Sequence, residues 1–383
     1  MRRFRAVDSF RAFAAFGIVT LHTAFFLGES HGSQPWLLLR DCSLPFFTMA
    51  AFFLLTAALK SDPSRSWSAF AAKRFVRLEV PLLVWTAVFW AMFHVLWPLL
   101  RGRPAEWPTV TAFAEGYWHL WFLQFVFVAG LIGFPLLKAA ARAGLLGGPT
   151  AAVLTALAAA MVLDPVREGA ERLVRDIQSA AGGNLGILTG SARMLPYVLL
   201  GVAAACVREP LTALSSRTGY GAAAFALFAG GGALHIAADE GAESRMIYAA
   251  ATFLLCLASW PEWLHRITHA AANRSYAIYI LHLPFAVLVV GGMRKLGLAH
   301  GHPAAILGAA AAVFALTLAA AERIAAIAPW AWLLPANFES APPAPARMIG
   351  DPRPASPPTA ARRLPPPRPL PLTAFASPLW GEG

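Results

Sequence analysis

The stretch that decides the fold is Asp8-Ser9-Phe10-Arg11-Ala12-Phe13-Ala14-Ala15-Phe16-Gly17-Ile18-Val19-Thr20-Leu21-His22. It belongs to an apolar run of membrane-spanning length, yet ionisable groups share one side of it. Eleven helical steps at about 100° each return to within roughly 20° of the start, so Arg11 and His22 face the same way. A rise of about 1.5 Å per residue sets His22 roughly 16 Å deeper than Arg11. That depth is near the middle of a hydrocarbon core about 30 Å thick. Asp8, three residues before Arg11, falls on the same face and is expected to hold the guanidinium. A ladder of ionisable groups inside lipid is costly, so this one calls for a functional reason.

The rest of the chain agrees with a membrane setting. Of its 383 residues 58% are apolar and 13% charged, with a mean hydropathy of +0.57. Soluble domains carry about twice that charged fraction. Ten apolar stretches of spanning length follow one another, at 10–28, 37–59, 78–100, 119–137, 149–164, 190–207, 219–237, 245–260, 274–293 and 303–326. The expected fold is therefore an all-α polytopic membrane protein of about ten transmembrane helices, occupying residues 1–335. Residues 336–383 form a second segment. Thirteen of the 30 prolines lie in 339–383, so this tail is expected to be disordered or polyproline-like.

Arg2, Arg3 and Arg5 precede the first span, and Lys60, Arg65, Lys73, Arg74 and Arg77 lie between the second and third. The loop at 29–36 has neither Lys nor Arg. The positive-inside rule puts the N-terminus in the cytoplasm, and an even number of spans returns the C-terminus there. Asp8 and Arg11 interrupt the first apolar run and no cleavage site follows, so it does not read as a signal peptide. The net charge of +11 reflects inside-loop bias and tail arginines, and does not point to nucleic acid. Cys42, Cys206 and Cys256 are scattered, giving no disulfide framework and no metal spacing.

Further candidates for chemistry sit at or in the spans. His22 is an imidazole at depth, with a pKa suited to general-base work. Arg74 and Arg77 are three apart at a helix entrance, where they could grip phosphates; basic loops are also normal on the inner side. Trp118-His119-Leu120-Trp121 reads as an interfacial aromatic belt or as a platform for a sugar ring. In Ser275-Tyr276-Ala277-Ile278-Tyr279-Ile280-Leu281-His282-Leu283-Pro284, Tyr279 and His282 share a face. Pro284 would there free a backbone carbonyl near mid-membrane.

Together these segments resemble the acyltransferase-3 family of multi-spanning bacterial membrane acyltransferases. Asp8-x-x-Arg11 with Arg11-x10-His22, Arg74-x-x-Arg77, His119 to Leu123, Ser275 to Pro284 and Glu322-Arg323 match that family's segments in order. Where that family usually has an aromatic residue and proline after the basic pair, this chain has Leu78-Glu79-Val80-Pro81, and Glu79 departs from the pattern. So does the missing proline after Glu322-Arg323.

The resemblance implies O-acyl transfer in the bacterial cytoplasmic membrane, from a cytoplasmic acyl-CoA such as acetyl-CoA to a hydroxyl of an envelope or exported carbohydrate. No bound cofactor or metal is implied. His22, Arg11, Asp8 and His282 are then the expected catalytic set, with His22 as general base or acyl carrier. Arg11, Arg74 and Arg77 are expected at the donor's phosphates, and Trp118, His119, Trp121 and Tyr279 at the acceptor. The alternative is a multi-spanning transporter of an envelope precursor, which would usually show paired halves with interrupted helices.

Overall fold

The computed structural model describes residues 4–28, 37–105, 117, 119–162, 169, 172–173, 176, 186–238, 242–298 and 302–327. The Pro-rich tail, most of the 163–185 connector and Trp118 lie outside them. The described residues all belong to one unit, Met1–Glu339. Among them every regular element is a helix: α1 (Arg5–Leu27), α2 (Leu37–Asp41), α3 (Leu44–Ser61), α4 (Trp67–Leu100), α5 (Trp121–Arg142), α6 (Gly148–Val162), α7 (Gly186–Cys206), α8 (Arg208–Ser215), α9 (Tyr220–Ala237), α10 (Ala242–Cys256), α11 (Glu262–Asn273), α12 (Ser275–Lys295) and α13 (Pro303–Ala326).

Among the described residues each of the ten expected stretches lies mostly on helix. Seven of the described helices are long and apolar enough to cross a membrane, or eight if Arg193–Cys206 and Arg208–Ser215, bent by 69° at their junction, count as one span. α6 and α10 are shorter, at 15 residues each.

One stretch departs from expectation. The run at 37–59 is not one helix but α2 and α3, broken at Cys42-Ser43. Pro45 explains the break: it has no N–H for the carbonyl of Asp41 and its ring would clash there. The broken backbone packs tightly on α1 at Gly17, where a Cβ would come within 3.1 Å of Ser43 N and 3.2 Å of the Cys42 carbonyl carbon. Any larger residue at 17 would push the two backbones apart.

α4 runs unbroken for 34 residues but contains two π-helical turns, Phe75–Glu79 and Ala91–Leu96. Each ends just ahead of a proline, Pro81 or Pro98. Because proline cannot donate, the chain shifts to i→i+5 bonding, Val80 N–H to Phe75 O and Trp97 N–H to Met92 O. The first turn begins just after Arg74 and contains Arg77.

α1 is the axis of the bundle. Of its apolar window 72% is buried, against 22% for α4 and for α9. It packs on α2, α3, α11, α12 and α13, while α7 lies on α3 and α6. Its end is set by Gly28, whose left-handed backbone (φ 85°) lets its N–H cap the Phe25 carbonyl. Cations cap two helix ends: Arg294 donates to Phe26 O on α1, and Lys60 to Ala205 O and Cys206 O on α7.

Candidate active site

Four residues singled out from the sequence meet inside the bundle: His22 on α1, Tyr279 and His282 on α12, and His119 just ahead of α5. Ring centroids are 4.8 Å apart for His22 and His282, 5.3 Å for His119 and His282, and 5.9 Å for His22 and His119. His119 and His282 are buried and His22 is half-buried.

Hydrogen bonds assign the protons. His282 Nδ1 lies 2.8 Å from Tyr279 O and 3.1 Å from Ile278 O. Carbonyls only accept, so that nitrogen carries the hydrogen and Nε2 of the neutral ring has the lone pair. Nε2 in turn lies 2.9 Å from His22 Nδ1, which is also 3.0 Å from Ile18 O. His22 Nδ1 therefore donates to both, and neutral His22 keeps its lone pair on Nε2.

His119 is fixed by the proline reasoned from the sequence. Pro284 leaves Ile280 O without its helical donor. His119 Nε2 lies 3.4 Å from that oxygen. With Nε2 donating, Nδ1 of the neutral ring is an acceptor, and among the described residues it is buried with no hydrogen-bond partner. The Tyr279 hydroxyl donates to His119 O, tying the loop before α5 to α12. The same logic recurs on α5, where Pro135 frees Leu131 O and the Trp67 indole N–H takes it at 3.1 Å.

Two adjoining cavities lead from one end of the bundle toward these rings. The outer one, about 490 Å³, is lined by Arg65, Ser66, Phe70, Lys73 and Arg74 among others. The inner one, about 70 Å³, is lined by Arg11, Phe47, Phe122, Ser275, Tyr276 and Tyr279 among others. Ala51, Leu54 and Val126 belong to both walls. Tyr279 thus stands between the inner cavity and the histidines, its ring 5.7 Å from His119 and 6.3 Å from His282. Arg11 is buried and donates to Ser275 Oγ at 2.9 Å.

A family model described as an acyltransferase domain matches residues 4–322. The chain belongs to the acyltransferase-3 family. No curated protein and no solved structure matches it. It is a membrane acyltransferase whose chemistry is O-acyl transfer.

In this acyltransferase the other expected site residues lie as follows. Arg74 lines the outer cavity, buried, with Nη1 donating to Val126 O at 2.8 Å and its guanidinium 4.9 Å from the Phe70 ring centre. Arg77, within the first π-helical turn, is half-buried and lines neither cavity. Asp8 is buried on α1 with Oδ2 3.6 Å from His269 Nδ1 of α11. Trp121 is half-buried with its ring edge-on to Phe122, and Phe122 rather than Trp121 lines the inner cavity. Glu322 makes a two-pronged ion pair with Arg274, at 2.8 and 3.0 Å. That pair joins α13 to the start of α12, next to Ser275.

Sequence reasoning missed Ser275 as the partner of Arg11, Arg274 as that of Glu322, and Arg65 as a cavity residue. It also missed a second buried polar group. His235 Nε2 lies 2.8 Å from Asp41 Oδ2, and His235 Nδ1 lies 2.9 Å from Ser244 Oγ. Arg245 approaches the same Asp41 oxygen at 3.5 Å. This group holds the end of α2 to α9 and α10. Among the described residues no group of three or more His, Cys, Asp or Glu is arranged to hold a metal ion.

Proposed function

We propose that the protein moves an acyl group from a cytoplasmic acyl-CoA to a hydroxyl of an exported or envelope carbohydrate, in a bacterial cytoplasmic membrane with both termini inside. The observation that carries this reading is the His22–His282 pair, which leaves the lone pair of His22 on Nε2. His22 Nε2 takes the proton of the acceptor hydroxyl as that oxygen attacks the thioester carbonyl. The C–S bond breaks, and the leaving thiolate takes the proton from the imidazolium. His282 accepts the Nδ1–H of His22 throughout and holds the ring in one tautomer.

The surroundings fit these roles. His119 Nδ1 is a buried acceptor beside His22, suited to a hydroxyl of the incoming sugar. Arg11 gives the inner cavity a cation for the polar groups of the donor's arm. The cavities open at the end of the bundle that carries Arg65, Lys73 and Lys138, which fits a cytoplasmic donor by the positive-inside rule.

The test is turnover of acetyl-CoA and succinyl-CoA by the protein in nanodiscs. His22→Ala is expected to lower turnover by about 10²–10⁴-fold, the usual contribution of a general base. Full activity in that variant, inserted and folded, overturns the role of His22. Wild-type protein that turns over neither donor yet carries a glycan precursor across vesicles would favour transport instead.

A further inference from the structure

We propose that the outer cavity anchors the phosphate-bearing end of the donor through Arg65 and Lys73, with Arg74 serving as cavity wall. This inference rests on the acyl-CoA reading above and says which residues grip that donor. The size contrast is the first argument. A space of about 490 Å³ suits a bulky nucleotide end, and the adjoining 70 Å³ suits only a narrow arm.

The second argument is what each cation is doing. Arg74 is buried, donates to Val126 O at 2.8 Å and lies over Phe70. It also lies so close to the Gly130 backbone that a Cβ there would fall 2.5 Å from its Nη1. A guanidinium committed in this way shapes the wall and cannot swing out to a ligand. Arg65 and Lys73 line the same space from positions open to solvent; the Arg65 side chain is 45% exposed.

The loop that carries Arg65 is held in place. Asp62 Oδ1 accepts from Ser64 Oγ–H and Ser64 N–H. These bonds hold the Asp62 carboxyl below the usual carboxylate range, so it is negative at neutral pH. Its Oδ2 meets Arg65 only at the Nε edge, at 3.7 Å. A guanidinium has five N–H donors in a fork, so an edge contact of this kind is compatible with gripping a phosphate. Lys138 donates to Arg65 O and ties the loop to α5.

The experiment measures binding of CoA and of pantetheine, which lacks the phosphates, to the full chain in phosphatidylcholine nanodiscs. The Arg65→Ala/Lys73→Ala double variant is expected to bind CoA at least about tenfold more weakly, which is about 1.4 kcal/mol. Its pantetheine binding should match wild type. Arg142→Ala, an exposed arginine at the end of α5 outside the cavity, should leave both unchanged.

An unaltered CoA affinity in the double variant overturns the proposal, and so does an equal loss for pantetheine, which would mark a structural effect. Loss of co-purified phosphatidylglycerol with CoA binding intact would make the cavity a lipid-headgroup site, and overturns it too. If wild-type protein binds neither CoA nor pantetheine, the acyl-CoA reading itself fails.

Discussion

His282 Nε2 meets His22 Nδ1 at 2.9 Å, joining the first and twelfth helices behind Tyr279, which lines the inner cavity. The contact has a direction. The carbonyls of Ile278 and Tyr279 keep the proton on His282 Nδ1, so His282 can only accept from His22. A residue that accepts this bond fixes which nitrogen of His22 is basic without touching the substrate.

His282→Ala is therefore expected to lower kcat by about one to two powers of ten, in line with the loss of groups that orient a histidine ligand or base. KM for the donor should hardly move. His282→Gln, whose amide oxygen can still accept from Nδ1–H, should recover part of the rate. A kcat equal to wild type in the alanine variant would show that the pair does not position His22. Equal losses in both variants would point to packing alone.

Pro284 offers a sharper case because stability and activity should move apart. Pro284→Ala supplies an N–H for Ile280 O, completing the helix bond that proline forbids. That N–H competes with His119 Nε2 for the same oxygen, at present 3.4 Å away. Alanine is intrinsically better in a helix by about 3 kcal/mol. The expected outcome is a Tm held or raised, with transfer at least tenfold slower. Undiminished transfer would mean that the freed carbonyl does not position His119.

Much of this was legible in the sequence, for identifiable reasons. Apolar length is a direct signal, so the ten stretches fall mostly on helix, although the run at 37–59 is broken and seven or eight of the described helices are long enough to span. The 3.6-residue period put Arg11 and His22 on one face of α1. Pro284 announced a freed carbonyl, though not that His119 would take it. Other features depend on packing between distant segments. His22 and His282 are 260 residues apart, and nothing local says that their rings touch. Asp41, His235 and Ser244 come from three helices and form a group only when those helices meet. Arg65 looks in sequence like any basic loop residue, and Arg74 looks more available than it is. Pro45, Pro81 and Pro98 did carry the signal for the broken span and the two π-helical turns, since each removes a donor.

Gly130→Ala tests the wall of the outer cavity. In a helix the substitution favours stability by about 1 kcal/mol. Here the new Cβ would lie 2.5 Å from Arg74 Nη1 and 3.0 Å from its Cζ, so the guanidinium must move. The bond to Val126 O is then lost or bent. KM for acyl-CoA is expected to rise several-fold with Tm little changed, as measured by steady-state kinetics beside a thermal melt. An unaltered KM would show that the position of Arg74 does not shape the donor cavity.

The Asp41–His235–Ser244 group should behave in the opposite way, affecting stability before chemistry. Both nitrogens of the buried His235 ring are engaged, and truncation leaves Asp41 and Ser244 each without a partner they now have. Hydrogen bonds between membrane helices are worth about 0.6–2 kcal/mol each. His235→Ala is therefore expected to destabilise by about 1–3 kcal/mol and to lower Tm by several degrees. Because the group is distinct from the cavities and the His22 cluster, donor KM at a permissive temperature should match wild type. His235→Gln, which can bond to both neighbours, should restore most of the Tm. A donor KM that rises with no change in Tm would instead bring this group into the path of the substrate.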